Sequence, residues 1–377
     1  MIEEDSHVFS LFGVTEYSPE WNDWRWQYKN RITDIEKLAE ILEISESEKA
    51  NISNCLVKFR MAITPYYASL MDSHDIYDPI RMQAVPSISE MNVFPWEMQD
   101  PLNEEGSSPI KNIVHRYPDR VLFLLTGCCA MYCRHCSRRR FVGEEDNAIT
   151  NKEIEDAVDY IRKTSEIRDV LISGGDPLTL SDERLDYILS ELRGISHIDT
   201  IRIGTRVPVT MPMRITSSLL SVLKKHHPIW INTHFNHPNE LTDTAVQACS
   251  KIVDAGIPLG NQSVLLKGIN DDVEVMKKLL LKLIKARIRP YYLYQCDLSE
   301  GLEHFRTDVR VGIKIIQDLT GNISGYAIPR FVIDAPGGGG KIPINPEYIV
   351  SMNDKAIVMK NYLEEIYEYP QPDKADI

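Results

Sequence analysis

The stretch Val121–Cys136, VLFLLTGCCAMYCRHC, joins a short apolar run to a cluster of cysteines. The run VLFLL has the length and composition of a buried β-strand, and Gly127 is suited to the turn that follows it. Four of the seven cysteines of the chain fall within the nine residues from Cys128 to Cys136, and three of them follow the pattern C-x3-C-x2-C. The stretch therefore predicts a strand followed directly by a loop that holds a metal or redox group.

Downstream of this stretch, short apolar runs alternate with amphipathic segments of helical length, such as NKEIEDAVDYIRK and VEVMKKLLLKLIKA. Repeated β-α units imply a parallel sheet with right-handed crossovers. Because six such units are too few for an eight-fold barrel, we predict an α/β fold with a partial (β/α)6 TIM-like barrel or an open sheet. Functional groups should then lie just after the carboxyl ends of the strands. The predicted strands begin at Val121, Asp169, Thr200, Ile229, Gly260 and Pro290.

The chain divides into three predicted regions. Residues 1–110 form an N-terminal helical region and connector, residues 111–320 the partial barrel, and residues 321–377 a C-terminal segment or extension. Trp21, Trp24 and Trp26 in the first region are expected to pack in the core or at a subunit contact rather than to bind a ligand.

Composition limits the class of protein. The chain has 377 residues, 43% of them hydrophobic, and its 42 basic and 55 acidic residues give a formal charge of -13. This charge disfavours a nucleic-acid partner. Since no apolar run is long enough for a membrane span and no leader is recognisable, we predict a soluble cytoplasmic protein. Cysteines that cluster in a long chain argue against a secreted disulfide framework.

The spacing of Cys129, Cys133 and Cys136 favours an iron-sulfur cluster. A structural zinc site requires four nitrogen or sulfur ligands, and a ferredoxin cluster requires four thiolates. Three thiolates on one loop can hold three irons of a 4Fe-4S cluster and leave the fourth iron open for chemistry. The other cysteines fit no ligand spacing and are expected to be core thiols; they are Cys55, Cys128, Cys249 and Cys296.

Two glycine-rich stretches follow predicted strands. Ser173 to Leu178, SGGDPL, ends the second strand, and glycines there allow close approach of the backbone to a ligand. RFVIDAPGGGGK places four glycines before Lys341. It fails the phosphate-loop pattern of nucleotide hydrolases, because Ala335 and Ile342 stand where that motif needs glycine and a hydroxyl residue. The glycine amides could still bind a phosphate, with Lys341 as a Schiff-base lysine.

With these motifs the chain resembles the radical S-adenosylmethionine (SAM) enzymes, and among them the lysine 2,3-aminomutase family. The similarity runs through nearly the whole chain. It includes DWRWQYKNRI, HRYPDRVLFLLTGCCAMYCRHCSRRRF, LISGGDPL, TRVPVTMPMRIT, NQSVLLKGIND, RPYYLYQCDLSEGLEHFRT and FVIDAPGGGGKIPINPEYIV. The resemblance implies three cofactors: a 4Fe-4S cluster, SAM and pyridoxal 5'-phosphate (PLP).

The resemblance also implies roles for individual residues. Cys129, Cys133 and Cys136 would bind the cluster, and Lys341 would form the Schiff base with PLP. Arg138 would bind the substrate carboxylate, while Arg139 and Arg140 are more readily read as a solvated basic face. Asp297 and Asp334 would receive the distal ammonium of lysine. The remaining implied contacts are Arg116, Tyr117 and Arg120 around PLP, and Ser173, Gly174, Gly175, Gln262 and His135 near SAM.

The implied activity interconverts L-lysine and L-β-lysine by a 5'-deoxyadenosyl radical and a PLP-assisted migration of the amino group. An electron donor such as ferredoxin or flavodoxin and a homo-oligomeric state are implied with it. A mutase for another diamino acid such as arginine, or one that supplies β-lysine for modification of a translation factor, is the first alternative. A non-enzymatic iron-sulfur electron carrier or sensor is a remote one.

The chain departs from the family pattern at one place. Several members hold a structural zinc with one cysteine after a GIND-type segment and three near the C-terminus. Here the first position is Asp272, and the tail MKNYLEEIYEYPQPDKADI contains no cysteine. We therefore expect no structural zinc.

Overall fold

The computed structural model describes residues 7–143 and 149–372. Its central sheet has nine strands, whose spatial order is their order along the chain. These strands are β1 (Ile113–Tyr117), β2 (Arg120–Leu124), β3 (Asp169–Ser173), β4 (Thr200–Gly204), β5 (Ile229–Thr233), β6 (Leu259–Leu265), β7 (Arg289–Gln295), β8 (Arg330–Ala335) and β9 (Gly340–Pro343).

The sheet confirms the predicted fold class. The six predicted strands are β2 to β7, and each pairs in parallel with the next. Strand β8 extends the parallel series to seven. Antiparallel strands complete both edges, since β1 pairs with β2 and β9 with β8. Because all parallel strands point the same way, their carboxyl ends lie at one edge of the sheet.

Helices connect the parallel strands and cover the sheet. Thr150 begins one of them with a capping box, in which the Thr150 hydroxyl accepts from the Glu153 amide while the Glu153 carboxylate accepts from the Thr150 amide. The helices bury apolar residues at intervals of three and four, the periodicity of one helical face. The helices are α1 (His7–Phe12), α2 (Trp24–Lys29), α3 (Ile35–Ile41), α4 (Glu46–Leu56), α5 (Pro65–Ala68), α6 (Asn151–Lys163), α7 (Asp182–Arg193), α8 (Val207–Thr210), α9 (Ser217–Lys225), α10 (Asp243–Asp254), α11 (Val273–Lys285) and α12 (Val309–Leu319).

The N-terminal helices share the hydrophobic core of the sheet. Trp21 is only 2% exposed and belongs to the same apolar cluster as the strand residues. Trp26 contacts Phe12 edge to face, and Trp24 lies under the guanidinium of Arg214. Trp21 therefore lies in the protein interior, and Trp24 and Trp26 are partly buried against the same core. Within the described ranges, no helix is long and apolar enough to cross a bilayer.

The last part of the chain forms a separate antiparallel sheet, which the sequence did not predict. Its strands are β10 (Ile349–Met352), β11 (Ala356–Lys360) and β12 (Ile366–Pro370). Asp272, the position of the first zinc cysteine in some relatives, caps α11 by accepting from the amides of Glu274 and Val275.

Candidate active site

The cysteine loop, the glycine pair and the two aspartates lie along the carboxyl edge of the parallel sheet, whereas Arg120 begins β2 at the opposite edge. The cysteine loop follows β2, the glycines Gly174 and Gly175 follow β3, Asp297 follows β7, and Asp334 lies in β8. This placement is the one expected for functional groups of a β-α repeat.

The three spaced cysteines have free thiols on one loop. Burial raises the pKa of Cys136 to about 11 and that of Cys129 well above its usual value, with a further increase from their mutual proximity and from Cys133. Thiols this close can ionise together only beside a strong cation. In the part of the chain that the structure describes, no three His, Cys, Asp or Glu side chains converge on one ion position. A 4Fe-4S cluster would not need such convergence, because each thiolate would bind a different iron, and the three thiols on one loop are suitable donors for it.

Arg206 is a neighbour of this loop that the sequence analysis missed. It is buried, and its Nη1 atom lies 2.8 Å from the Cys133 sulfur, while Nη2 donates to Glu240 at 2.7 Å. A guanidinium beside a thiolate compensates part of its negative charge. The position of Arg206 could have indicated a place in the site, because this residue closely follows the predicted strand that begins at Thr200.

Gly174 and Gly175 bring the end of β3 against the cysteine loop itself. The Gly175 amide donates to the Thr126 carbonyl at 2.5 Å, and the Asp176 amide donates to the Cys128 carbonyl at 2.7 Å. Gly174 has φ 135°, and a Cβ atom there would lie 2.5 Å from the Thr126 carbonyl oxygen. A Cβ on Gly175 would overlap the Cys128 carbonyl oxygen. The glycines are thus required by contact between two backbone segments, whatever ligand they also approach.

His135 lies in a buried polar group beside the cysteine loop. Its Nε2 atom is 3.3 Å from the Asn236 amide nitrogen, and its ring centroid is 5.2 Å from that of His234. Burial and the charge of Arg206 hold the pKa of His135 well below its usual value. Its Nδ1 atom is buried and has no hydrogen-bond partner among the described residues, so it could receive a ligand. Ser173 ends β3, and Gln262 lies on β6, both partly exposed.

Lys341 and Asp334 are direct cross-strand partners in the β8–β9 hairpin. The Lys341 ammonium donates to both carboxylate oxygens of Asp334 at 3.1 Å, and it lies 5.3 Å from the centre of the Tyr294 ring. Asp334 is only 6% exposed, whereas Lys341 is 32% exposed. Lys341 is therefore reachable from the site, and Asp334 is its counter-ion.

The loop before Lys341 has backbone conformations that favour glycine. Gly337, Gly338 and Gly340 have φ values of 72°, 89° and 82°, in the left-handed region that favours glycine. The Lys341 amide donates to the Tyr117 hydroxyl at 3.0 Å. Arg116 donates to the Leu102 carbonyl and keeps its buried Nε atom unpartnered among the described residues.

Arg120 completes this corner of the site. Its guanidinium lies 3.8 Å from the centre of the Tyr117 ring and also pairs with Asp119. Tyr117 therefore contacts the glycine run, and Arg120 contacts Tyr117. The place of Arg116, Tyr117 and Arg120 around PLP stays a prediction.

Asp297 is a partly buried carboxyl group with an unusual pKa. Burial and the charge of Asp334 raise its pKa to about 7, while Lys341 and Arg138 act in the opposite direction. The Asp297 carboxyl group thus interacts electrostatically with both Lys341 and Arg138. A cation placed beside Asp297 would stabilise its charged form.

Arg138 is held by a residue that the sequence analysis did not identify. Glu104 accepts from Nε at 3.0 Å and from Nη2 at 2.7 Å. It comes from the connector before β1, where no strand end or motif marked it.

The prediction that Arg139 and Arg140 form a solvated basic face is wrong. The Arg139 side chain is 9% exposed and pairs with the buried Glu90, and Arg140 pairs with Asp100 at 3.3 Å. The buried Glu90 neutralises Arg139, and Asp100 and Glu105 pair with Arg140, so neither arginine is a free charge on a solvated face.

Two family models match the chain. The Radical SAM superfamily model matches residues 123–280, and the model for the lysine 2,3-aminomutase C-terminal region matches residues 316–376. The second match covers Lys341 and most of the C-terminal sheet, and the first covers the cysteine loop.

Curated relatives match nearly the whole chain. The chain is 53% identical to the L-lysine 2,3-aminomutase of Clostridium subterminale over 94% of this chain and 85% of the relative. It is 54% identical to that of Acetoanaerobium sticklandii over 94% of this chain and 86% of the relative. It is also 45% identical to a glutamate 2,3-aminomutase of Clostridioides difficile over 98% of this chain and 87% of the relative. Overall sequence similarity alone therefore does not decide which amino acid is the substrate, and the residues of the site must be considered.

Proposed function

The chain belongs to the lysine 2,3-aminomutase family of radical SAM enzymes, and from this premise we propose that it interconverts L-lysine and L-β-lysine. The observation that carries the choice of lysine is the charge distribution of the site. Two carboxyl groups, Asp297 and Asp334, lie on the side of Lys341, and the guanidinium of Arg138 lies within electrostatic reach of Asp297.

This distribution suits an amino acid that has a carboxylate at one end and an ammonium at the other. Arg138 would bind the α-carboxylate, and Asp297 would bind the distal ammonium. Asp334 would join Asp297 once Lys341 no longer needs a counter-ion. The side chain of glutamate would meet two carboxyl groups without a compensating cation, so the same site disfavours it.

The residues also suit the cofactors of the family. Cys129, Cys133 and Cys136 would hold a 4Fe-4S cluster, and SAM would bind between that cluster and the ends of the strands, near His135 and Gln262. The glycine loop with Arg116 would hold the phosphate of PLP, and Lys341 its carbonyl carbon. When bound, these groups would supply the radical chemistry and the electron delocalisation that a migration of nitrogen needs.

The protein's own part is positioning and exclusion of water. Arg138 and Asp297 would fix the two ends of the substrate, so that C2 and C3 lie in one place relative to both cofactors. The N-terminal helices share the hydrophobic core of the sheet, and exclusion of water protects a reactive site. We further propose a cytoplasmic homo-oligomer that receives its electron from a ferredoxin or flavodoxin, and we expect no structural zinc.

The proposal is tested by anaerobic turnover of purified enzyme reconstituted with iron, sulfide, PLP and SAM. Formation of β-amino acid is followed by NMR with L-lysine, L-arginine, L-glutamate and L-alanine as separate substrates. Conversion of L-lysine far above the others supports the proposal. Preferred conversion of arginine selects the other diamino-acid activity, and conversion of glutamate as fast as lysine refutes the role of the aspartates. Absence of any product, with the cluster formed, favours a carrier or sensor.

A further inference from the structure

The connector between the N-terminal helices and β1 contributes a buried carboxylate, Glu104, to the arginine side of the site. Glu104 is only 4% exposed. Its Oε1 and Oε2 atoms each lie 3.0 Å from Nε of Arg138, and Oε1 lies 2.7 Å from Nη2. The Glu104 carboxylate therefore contacts the Nε–Nη2 edge of Arg138 at three places, and its Oε1 atom bonds both nitrogens. Such a charge-assisted contact restrains the orientation of the guanidinium.

The backbone holds Glu104 in place from both sides. On one side, the Gly337 amide donates to the Pro101 carbonyl at 2.9 Å, which ties the connector to the glycine loop. On the other side, the Ser108 hydroxyl donates to the Glu104 carbonyl at 2.7 Å. The position of the Glu104 carboxylate is thus set before any substrate arrives.

The carboxylate is charged in this environment. Burial acts against ionisation, but the adjacent guanidinium of Arg138 outweighs it, so the pKa of Glu104 lies below its usual range. Glu104 consequently acts on Arg138 as a fixed negative charge.

The contact occupies only one edge of the guanidinium. A guanidinium presents five donors in a planar fork, enough for two carboxylates on different edges. Glu104 takes Nε and one hydrogen of Nη2, whereas Nη1 of Arg138 donates to no residue in the described part of the chain. The edge formed by Nη1 and the second Nη2 hydrogen stays available, and Arg138 lies close enough to Asp297 to lower its pKa.

We propose, on the basis of the function proposed above, that Glu104 is a positioning residue that fixes Arg138 so that its Nη1–Nη2 edge binds the α-carboxylate of the substrate. Without Glu104, the long arginine side chain would gain rotational freedom and could turn toward Asp297, the nearby carboxyl group. The ordering of the side chain would then have to occur during binding, which weakens affinity.

The rival interpretation of the same contact is competition. If the Glu104 carboxylate occupied the position that the substrate carboxylate needs, its removal would strengthen binding. The two interpretations predict opposite changes of KM, and this difference makes the contact testable.

The test compares Glu104→Gln with Glu105→Gln in the reconstituted holoenzyme. Glu105 is the matched control, because it is adjacent in sequence, its side chain is 78% exposed, and it pairs with Arg140 rather than Arg138. We expect Glu104→Gln to raise KM for L-lysine about tenfold with kcat changed less than threefold, whereas Glu105→Gln leaves both near the wild-type values. A lower or unchanged KM in Glu104→Gln overturns the proposal.

A second measurement separates positioning from general damage. Binding of L-lysine and of 1,5-diaminopentane, which lacks the carboxylate, is measured by calorimetry with SAM present and no reductant. Glu104→Gln should weaken binding of lysine about tenfold and leave binding of the diamine nearly unchanged. Equal weakening of both ligands overturns the proposal.

Folding and the proposed function are controlled separately. If Glu104→Gln does not fold or retain its cofactors, Glu104→Asp, which keeps the charge, replaces it. The binding of L-lysine and of 1,5-diaminopentane to this variant is then compared in the same way. Wild-type enzyme that neither binds nor converts L-lysine would refute the proposed function, whereas wild-type conversion together with an unaffected Glu104→Gln refutes only the role of Glu104.

Discussion

Protonation of Asp297 should control the affinity of the enzyme for L-lysine. Burial and the neighbouring Asp334 raise the pKa of Asp297 from 3.8 to about 7. This difference corresponds to about 4 kcal/mol against ionisation of the empty site. Only the ionised carboxylate can pair with the distal ammonium, so binding should weaken as the pH falls through 7 and should be strongest above it.

The size of the effect follows from the ionised fraction. With a pKa of about 7, roughly one tenth of Asp297 is ionised at pH 6 and nine tenths at pH 8. The KM for L-lysine should therefore be about tenfold higher at pH 6 than at pH 8. The charge of Lys341 lowers the pKa of Asp297, so any loss of that charge would raise the pKa and enlarge the ratio.

The assay is anaerobic turnover from pH 6 to 8.5, with KM and kcat measured at each pH. Asp297→Asn should raise KM at pH 8 and remove the pH dependence, because its side chain does not ionise. Asp334→Asn should move the midpoint to lower pH, since the charge of Asp334 is one cause of the raised pKa of Asp297. A KM that is flat over this range in the wild-type enzyme, or an Asp297→Asn variant with the wild-type slope, would refute the reasoning.

Three further predictions concern the cofactor sites. Cys133→Ala should abolish the absorbance of the cluster and all turnover. Cys128→Ala should keep most of both, because Cys128 contacts β3 through its backbone carbonyl, which the substitution leaves in place. Full iron content in Cys133→Ala would contradict the assignment. Gly175→Ala should displace the cysteine loop and reduce iron content several-fold, while Gly325→Ala, where an added Cβ meets no atom within 4 Å, should load normally; equal iron content in the two variants would show that the close contact is unimportant. Borohydride reduction of the PLP-loaded enzyme should fix a pyridoxyl group on Lys341, and mass spectrometry that found the adduct on another lysine would exclude Lys341 as the Schiff-base residue.

The fold was largely predictable because its signals are local. Each strand from β2 to β7 is a short run rich in apolar residues, and an amphipathic segment with helical periodicity lies before the next strand. The cysteine loop, Asp297 and Asp334 could be assigned to one site because carboxyl ends of parallel strands share an edge. The edge strand β1 and the C-terminal sheet were not predicted, because antiparallel additions lack the repeating β-α pattern.

The charged partners of the site were not predictable in the same way. Glu104 contacts Arg138 across 34 positions of sequence and comes from a connector without periodicity. Arg139 was misjudged because its partner, Glu90, is 49 positions away. Local patterns locate ionisable residues near a site, but they do not reveal which distant carboxylate neutralises which arginine.

Because Asp334 pairs with Lys341 across the β8–β9 hairpin, the length of the loop between the two strands determines which side chains lie together. Side chains alternate between the two faces of a strand, so a register shift of one residue transfers every side chain to the opposite face. Four residues, Pro336 to Gly339, separate Ala335 from its partner Gly340. The number of residues in this run, as much as the flexibility of its glycines, therefore determines that the Lys341 amine lies on the same face as the Asp334 carboxylate.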